Sequence, residues 1–174
     1  MEPMTPAPRS RLDRFLNEAG IEHELVEHRA VFAALDEVDA TGTDAASVAK
    51  TLVLHGRDDY RIAVIPAGRR LDMARARAAL RGTRRLRLAT EEEIEGAFPG
   101  FEVGALPPFG ESLPVPEVVD VRLLYRERIL CAAGDHRHGV RLDPRELLRL
   151  IEPRIADICE RTQGEHRFSD LPRP

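Results

Sequence analysis

Apolar and polar positions follow two rhythms along this chain. In RSRLDRFLNEAG, Leu12, Phe15, Leu16 and Ala19 recur at the spacing of one helical face, with Ser10 placed to cap and Gly20 placed to stop. The period then falls to two. Ile21, His23 and Leu25 alternate with charged residues in IEHELVEH, which predicts a half-buried strand. AALDEVDA predicts a short helix, and Asp44 can cap another that ends near Lys50. The clearest signal is TLVLHG-RDDY-RIAVIPAG, two β-rich runs joined by a polar turn, which predicts a hairpin.

Further along, RLDMARARAALRG predicts a helix stopped by Gly82, RLRLA a short strand, and TEEEIEGAF a helix capped by Thr90 with Glu93 in capping-box position. PGFEVGALPPFGESLPVPE is too rich in Gly and Pro to be a helix or a central strand. VVDVRLLY, RILCAAG and GVRL predict three strands, and DPRELLRLIEP a helix with Asp143 as N-cap and Pro144 at its first position. Hairpins and short helices interleave without regular βαβ alternation. The expected fold is therefore α/β of the α+β type: a single domain with a mixed, largely antiparallel curved sheet flanked by helices. The Pro-rich start reads as a disordered arm over residues 1–9, the domain as 10–163, and 164–174 as a C-terminal tail.

Composition narrows the class. At 174 residues, with 43% hydrophobic and 32% charged residues, the chain reads as one soluble globular domain. No apolar run approaches the roughly 20 residues of a membrane helix, and the start has no signal-peptide core. Cys131 and Cys159 form no metal-ligand spacing and sit in apolar runs, so buried reduced thiols in a cytoplasmic protein are expected. The net charge of −4 argues against a generic nucleic-acid binder. Between Arg69 and Arg87, however, eight Arg face one Asp72. That patch is either a phosphate-contacting surface, with Arg70, Arg77 and Arg81 as candidates, or a solvated helix face in an Arg-biased sequence.

Lys50 is the only lysine among 26 basic side chains, and it opens an apolar run. An ammonium is compact and can reach a phosphate or carbonyl in a pocket that a planar guanidinium would fill. Desolvation could also turn it into a nucleophile or base, and a surface lysine that escaped Arg drift is the plain reading. GALPPFG, from Gly104 to Gly110, is a stiffened loop whose backbone N–H groups can face a carbonyl or oxyanion, or it is only a rigid crossover. AAGDHRHG places Asp135, His136 and His138 in a turn between strands. The choices there are an Asp–His pair, an RNA phosphate contact, a metal ligand lacking a third partner, or a solvated turn. P-loop, Rossmann, nucleophile-elbow and zincin motifs are missing, and no Ser sits in a nucleophile-like setting.

Together these segments resemble the YbaK/prolyl-tRNA-synthetase-associated domain family of freestanding aminoacyl-tRNA editing deacylases. The resemblance runs from about His28 to Ile158, through EHRAVFAALDEV, VAKTLVL, YRIAVIPAGRRLD, ATEEEIEGAFPGFEVGALPPFG, VVDVRLL and ILCAAGDHRHGVRLDPRELLRL. The Lys of VAKTLVL combined with G-x-x-x-P-F-G some fifty residues later is its most specific part. It implies that Lys50 and Gly110 carry catalysis, that Lys50 contacts the tRNA 3′-terminal adenosine, and that the Gly104–Gly110 backbone holds the aminoacyl carbonyl. It further implies a substrate pocket with Phe32, Thr51, Gly104, Pro108, Phe109, Gly134, Asp135 and His136, and tRNA backbone contacts at Arg70, Arg77 and Arg81.

The implied reaction is hydrolysis of the ester of mischarged tRNA, in trans, with alanyl- or cysteinyl-tRNA for proline as the expected clients. Water or the substrate's own groups would attack, and no cofactor or metal is needed. The implied partners are mischarged tRNA and a synthetase acting beside the protein, with no membrane. Departures bear on which amino acid is removed. Arg29 and Ala30 replace prolines, Ala132, Ala133 and Gly134 replace a Ser-Gly-Gly run, and Gly139 replaces an acidic residue. Two alternatives stand beside this expectation: a non-hydrolysing module that binds tRNA or a nucleotide end in a regulatory role, and a Schiff-base enzyme using Lys50.

Overall fold

The computed structural model describes residues 8–81, 85–109 and 115–162. The expected helix stop at Gly82, the expected catalytic position Gly110, and most of both terminal tails lie outside the described residues. Helix α1 (Pro8–Glu18) starts two residues before Ser10, so Ser10 lies inside the helix and does not cap it. Leu12 and Leu16 of its apolar face are buried, and Gly20 follows at φ +69, a left-handed turn that glycine adopts without steric cost. Strand β1 (His23–Glu27) is placed as expected, but Leu25 is exposed. Ile21 just before it lies in the main core and the His23 side chain is largely covered, as the alternation suggested, while Val26 on the opposite face packs against the Val48–Ala67–Leu130 cluster.

Helix α2 (Ala34–Thr41) ends at Gly42 in the left-handed conformation. Asp44 accepts a hydrogen bond from the Ala46 N–H and caps only a short 3-10 turn, Ala45–Ser47. Strand β2 (Ala49–His55) then begins, so Lys50 lies on a strand rather than at a helix end. The predicted hairpin forms: β2 pairs antiparallel with β3 (Tyr60–Pro66), with Lys50 opposite Ile65 and Thr51 opposite Val64. Asp72 caps α3 (Met73–Ala79), followed by β4 (Arg87–Leu88). Thr90 and Glu93 close a full capping box on α4 (Glu91–Ala97).

The second half departs more. Strand β5 (Glu117–Asp120) stops after four residues, because the Asp120 carboxylate accepts from the Arg122 N–H and turns Val121–Tyr125 into a 3-10 helix. Strands β6 (Ile129–Ala132) and β7 (His138–Leu142) follow as expected. Helix α5 (Glu146–Leu150) starts beyond Pro144, with the Asp143 side chain accepting from the Arg145 N–H. Strand β8 (Arg154–Ala156) was not expected from the sequence pattern.

The fold is mixed α/β, but in place of one curved sheet there are two. A three-stranded antiparallel sheet runs β1-β7-β6, and a five-stranded mixed sheet runs β4-β2-β3-β5-β8, with β3–β5 and β5–β8 parallel. The main core lies where α1, the three-stranded sheet and one face of the five-stranded sheet meet, around Leu16, Ile62, Val64, Val119, Ile129 and Leu142. A second core covers the opposite face, where Leu54, Ala63, Ile65 and Val118 pack against Ala76, Leu80, Leu86 and Ile158. Strand β3 is buried on both faces, which is why RIAVIP reads as a continuous apolar run. Cys131 and Cys159 are buried free thiols, and burial pushes both up from the usual thiol range.

Candidate active site

Strand β3 pairs β2 along its whole length, whereas β4 covers only Leu54 and His55. The uncovered outer edge of β2 borders a cleft of about 370 Å3, within the range of small-molecule sites. Its walls come from residues 31–37 leading into α2, from 49–53 of β2, from Val103–Leu106 of the Gly-Pro loop, and from Ala132, Asp135 and His136. Lys50 and Thr51 both line it. The Lys50 ammonium has no hydrogen-bond or ion-pair partner among the described residues, a free charge on an otherwise paired strand.

The turn between β6 and β7 organises this wall. Gly134 receives the Glu102 N–H on its carbonyl and gives its own N–H to Ala105 O, both at 2.9 Å, which zips the Gly-Pro loop to the turn. On the other side, Val31 N–H donates to His136 O and His28 N–H to Arg137 O, again at 2.9 Å. Three segments distant in sequence are thus tied by main-chain bonds that side-chain changes do not remove. Gly104 and Gly134 take φ +87 and +97, and a Cβ on Gly104 would press within 3.3 Å of the Phe32 carbonyl. The positive φ, together with this close approach, strains any residue but glycine at 104.

The charged groups of the turn split into two pairs. Asp135 accepts from His138 Nδ1 at 2.8 Å and from the Arg137 N–H, while Glu102 accepts from the His136 N–H at 2.9 Å. Asp135 therefore pairs with His138, and His136 turns toward Phe32, their ring centroids 4.7 Å apart. Phe32 is 72% exposed, so this aromatic pair stands at the cleft mouth.

Among the sequence-predicted residues, Phe32, Lys50, Thr51, Gly104, Asp135 and His136 come together on the cleft. Pro108, Phe109 and Gly134 do not line it. Phe109 is fully buried in the main core, so its size serves packing, and Gly134 acts through its backbone one layer behind. Arg70, Arg77 and Arg81 lie away from the cleft. Arg77 donates twice to the Leu86 carbonyl, at 2.9 and 3.1 Å, so it holds the chain after α3 and is not a free phosphate contact. Arg75 and Arg87 are also engaged, with Asp157 and Glu93. At Gly139, where an acidic residue was expected from the resemblance, a Cβ would stand 2.8 Å from Leu130. A side chain there would have to displace Leu130, which is fully buried.

Sequence reading missed Glu37. It lies on α2, is 5% exposed and still borders the cleft, and burial pushes its carboxyl up to about 7. A charged residue four positions past the expected helix start looked like solvent-facing polarity, and only the docking of α2 on the cleft wall buries it. No group of three or more candidate metal ligands occurs among the described residues. Within them, no helix is long and apolar enough to cross a membrane.

A two-sheet α/β domain with one lysine-bearing cleft, walled by a glycine loop and an aromatic mouth, defines a small-ligand site at a sheet edge. Residues 28–150 match the family model described as the aminoacyl-tRNA editing domain, and the chain belongs to that family. It is 35% identical over 116 residues to a proline–tRNA ligase of Shouchella clausii, covering 65% of this chain and 20% of the ligase. It is 27% identical over 153 residues to the multifunctional Ser/Thr-tRNA deacylase ProXp-y of Escherichia coli K12, covering 85% of this chain and 90% of that protein. The chain thus spans one fifth of the ligase and nine-tenths of the deacylase. The crystal structure of a proposed trans-editing enzyme for prolyl tRNA synthetase superposes with a TM-score of 0.78 at 30% identity, covering 91% of this chain and 99% of that one.

Proposed function

We infer that this chain is an aminoacyl-tRNA deacylase, and we propose that it acts in trans on tRNA mischarged with a small amino acid. Alanyl and cysteinyl esters of proline tRNA are the first candidates, and the name of the Escherichia coli relative adds seryl and threonyl esters. The observation that carries the reading is the unpartnered Lys50 ammonium on the wall of a cleft otherwise mostly apolar. Family membership supports it.

In this reading the 3′-terminal adenosine rests at the mouth against Phe32 and His136, where an aromatic face suits a stacked base. The aminoacyl group enters past Lys50, whose charge holds the ribose or carbonyl oxygen as negative charge develops. Backbone N–H groups of the loop that starts at Gly104 would stabilise the same oxyanion. Water attacks the carbonyl carbon, the ester C–O bond breaks, and the ribose oxygen leaves with a proton from that water, giving free amino acid and uncharged tRNA. A second pocket is useful because small side chains differ by only about 1–3 kcal/mol in a synthetase site.

Deacylation of tRNAs charged with Ala, Cys, Ser and Pro, by wild type and Lys50→Ala, tests this. Hydrolysis of a mischarged species that is lost in the folded variant is the expected result. Retained tRNA binding without hydrolysis of any ester would replace the enzyme with a binding module.

A further inference from the structure

One acidic side chain on the cleft wall has no task in the reaction above. Glu37 shares the cleft with Val31, Ala34, Ala49, Ala67 and Ala132, all apolar. Behind it lies His28, whose ring Nδ1 is 2.7 Å from the Arg29 carbonyl. A carbonyl only accepts, so Nδ1 carries the hydrogen and the tautomer is set. The remaining Nε2 is buried, has no hydrogen-bond partner, and stands 3.7 Å from Glu37 Oε1. That is too far for a hydrogen bond between them. A carboxyl and an imidazole nitrogen thus face each other unjoined beside a ligand-sized space. Lys50 shares the cleft, and the Cys131 thiol lies near enough to Glu37 to feel its charge.

Buried polar groups left unpaired cost stability, and a site that keeps them gains by pairing them with its ligand. A hydroxyl suits Glu37 in either protonation state, donating to the carboxylate or accepting from the acid. A methyl group does neither, and it excludes water from the carboxyl as it enters.

We propose that Glu37, backed by His28, reads the acyl side chain and favours one that carries a hydroxyl group over the methyl of alanine. This rests on the deacylase reading above and narrows its substrate class. A pocket built to hydrogen-bond a hydroxyl discriminates far more strongly than one that only measures size.

The test separates this inference from the reaction by using ligands that cannot be hydrolysed. The seryl and alanyl amides of 3′-amino-3′-deoxyadenosine are titrated calorimetrically into the full chain, wild type, Glu37→Leu and Glu37→Gln. The seryl amide should bind wild type at least about tenfold more tightly than the alanyl amide. In Glu37→Leu the two should agree within about twofold, while Glu37→Gln, which still offers a donor and an acceptor, keeps part of the preference. Equal affinities in wild type, no binding of either amide, or a preference that survives in Glu37→Leu would each overturn the proposal. Parallel hydrolysis of seryl and alanyl esters separates the two ideas. Discrimination between the amides without turnover of any ester would uphold the side-chain pocket and sink the deacylase reading. An equal loss of turnover on both esters in Glu37→Gln, with equal amide binding by wild type, would make Glu37 a base and not a reader.

Discussion

Two polar clusters in this molecule are built in opposite ways. Beside the second core, Asp120 is fully buried and accepts hydrogen bonds from the Arg122 N–H, the Arg122 guanidinium and the Ile158 N–H. Arg122 also reaches Asp157 at 2.8 Å, and Arg75 reaches the other oxygen of Asp157 at 2.9 Å. On the cleft wall, by contrast, Lys50 and His28 Nε2 have no partner among the described residues and Glu37 is desolvated. The first cluster satisfies its own chemistry and ties β5, β8 and α3 together. The second leaves its chemistry open for a ligand, and main-chain bonds through Gly134, His136 and Arg137 hold the wall in its place. Stability and function are thus divided between regions, so substitutions in each should move different observables.

The widest separation is expected from Asp120→Ala. It strips partners from Arg122 and from a buried N–H, and should cost about 3–5 kcal/mol of stability, read by urea unfolding, with unchanged turnover per folded molecule. Lys50→Ala should do the reverse. Removing one positioned donor costs about 3 kcal/mol of barrier, roughly a hundredfold in rate, with no fall in thermal midpoint because no partner is lost. A Lys50→Ala protein that unfolds early would break the contrast.

The clusters should also answer to pH with opposite signs. Glu37 has its carboxyl raised from 4.5 to about 7, so its contribution is fully present below pH 4.5 and lost as pH rises through 7. Glu37→Gln should therefore be more stable than wild type at pH 8, by about 3 kcal/mol, and level with it near pH 4.5. Burial pushes Asp157 up, but the Arg122 hydrogen bond and the Arg122 and Arg75 charges outweigh this and hold it below the usual range. Its contribution is present above its unfolded value and lost as pH falls through the folded one. Asp157→Asn should flatten the acid limb of a stability profile and leave the neutral limb alone.

The smallest effect belongs to the surface. Arg70 and Arg81 are exposed, flank α3 on either side, and do not line the cleft. If tRNA lies over both regions, reversing these two to Glu should weaken binding about tenfold and lower the salt slope by about two. Unchanged affinity would confine recognition to the cleft side. Arg77 is left out of this test, because its bonds to the Leu86 carbonyl would make any loss structural.

How much of this was legible in the sequence follows from the range of the forces involved. The hairpin of β2 and β3, the capping box at Thr90 and Glu93, and the left-handed stop at Gly20 each depend on residues a few positions apart, and all were readable. Lys50 was conspicuous through composition alone. Strand β8 was not readable, because three residues are too few to carry a period, and they become a strand only beside β5. Asp120 looked like one polar position in a long strand, yet it ends that strand by bonding the Arg122 N–H, and its partner at Ile158 is 38 residues away. Phe109 looked like part of a ligand loop and turned out to fill the core.

The sequence by itself determined the local elements and the family, because helix caps, turn glycines and alternating faces are written in neighbouring residues. The tertiary structure alone decided which carboxylates are satisfied and which stay open. Asp120 and Glu37 are the same chemistry on the page, and burial acts on both. What separates them is the set of partners within hydrogen-bond reach: for Asp120 the neighbouring Arg122 and, from 38 residues away, the Ile158 N–H, and for the Glu37 carboxyl a single imidazole nitrogen, just too far to bond.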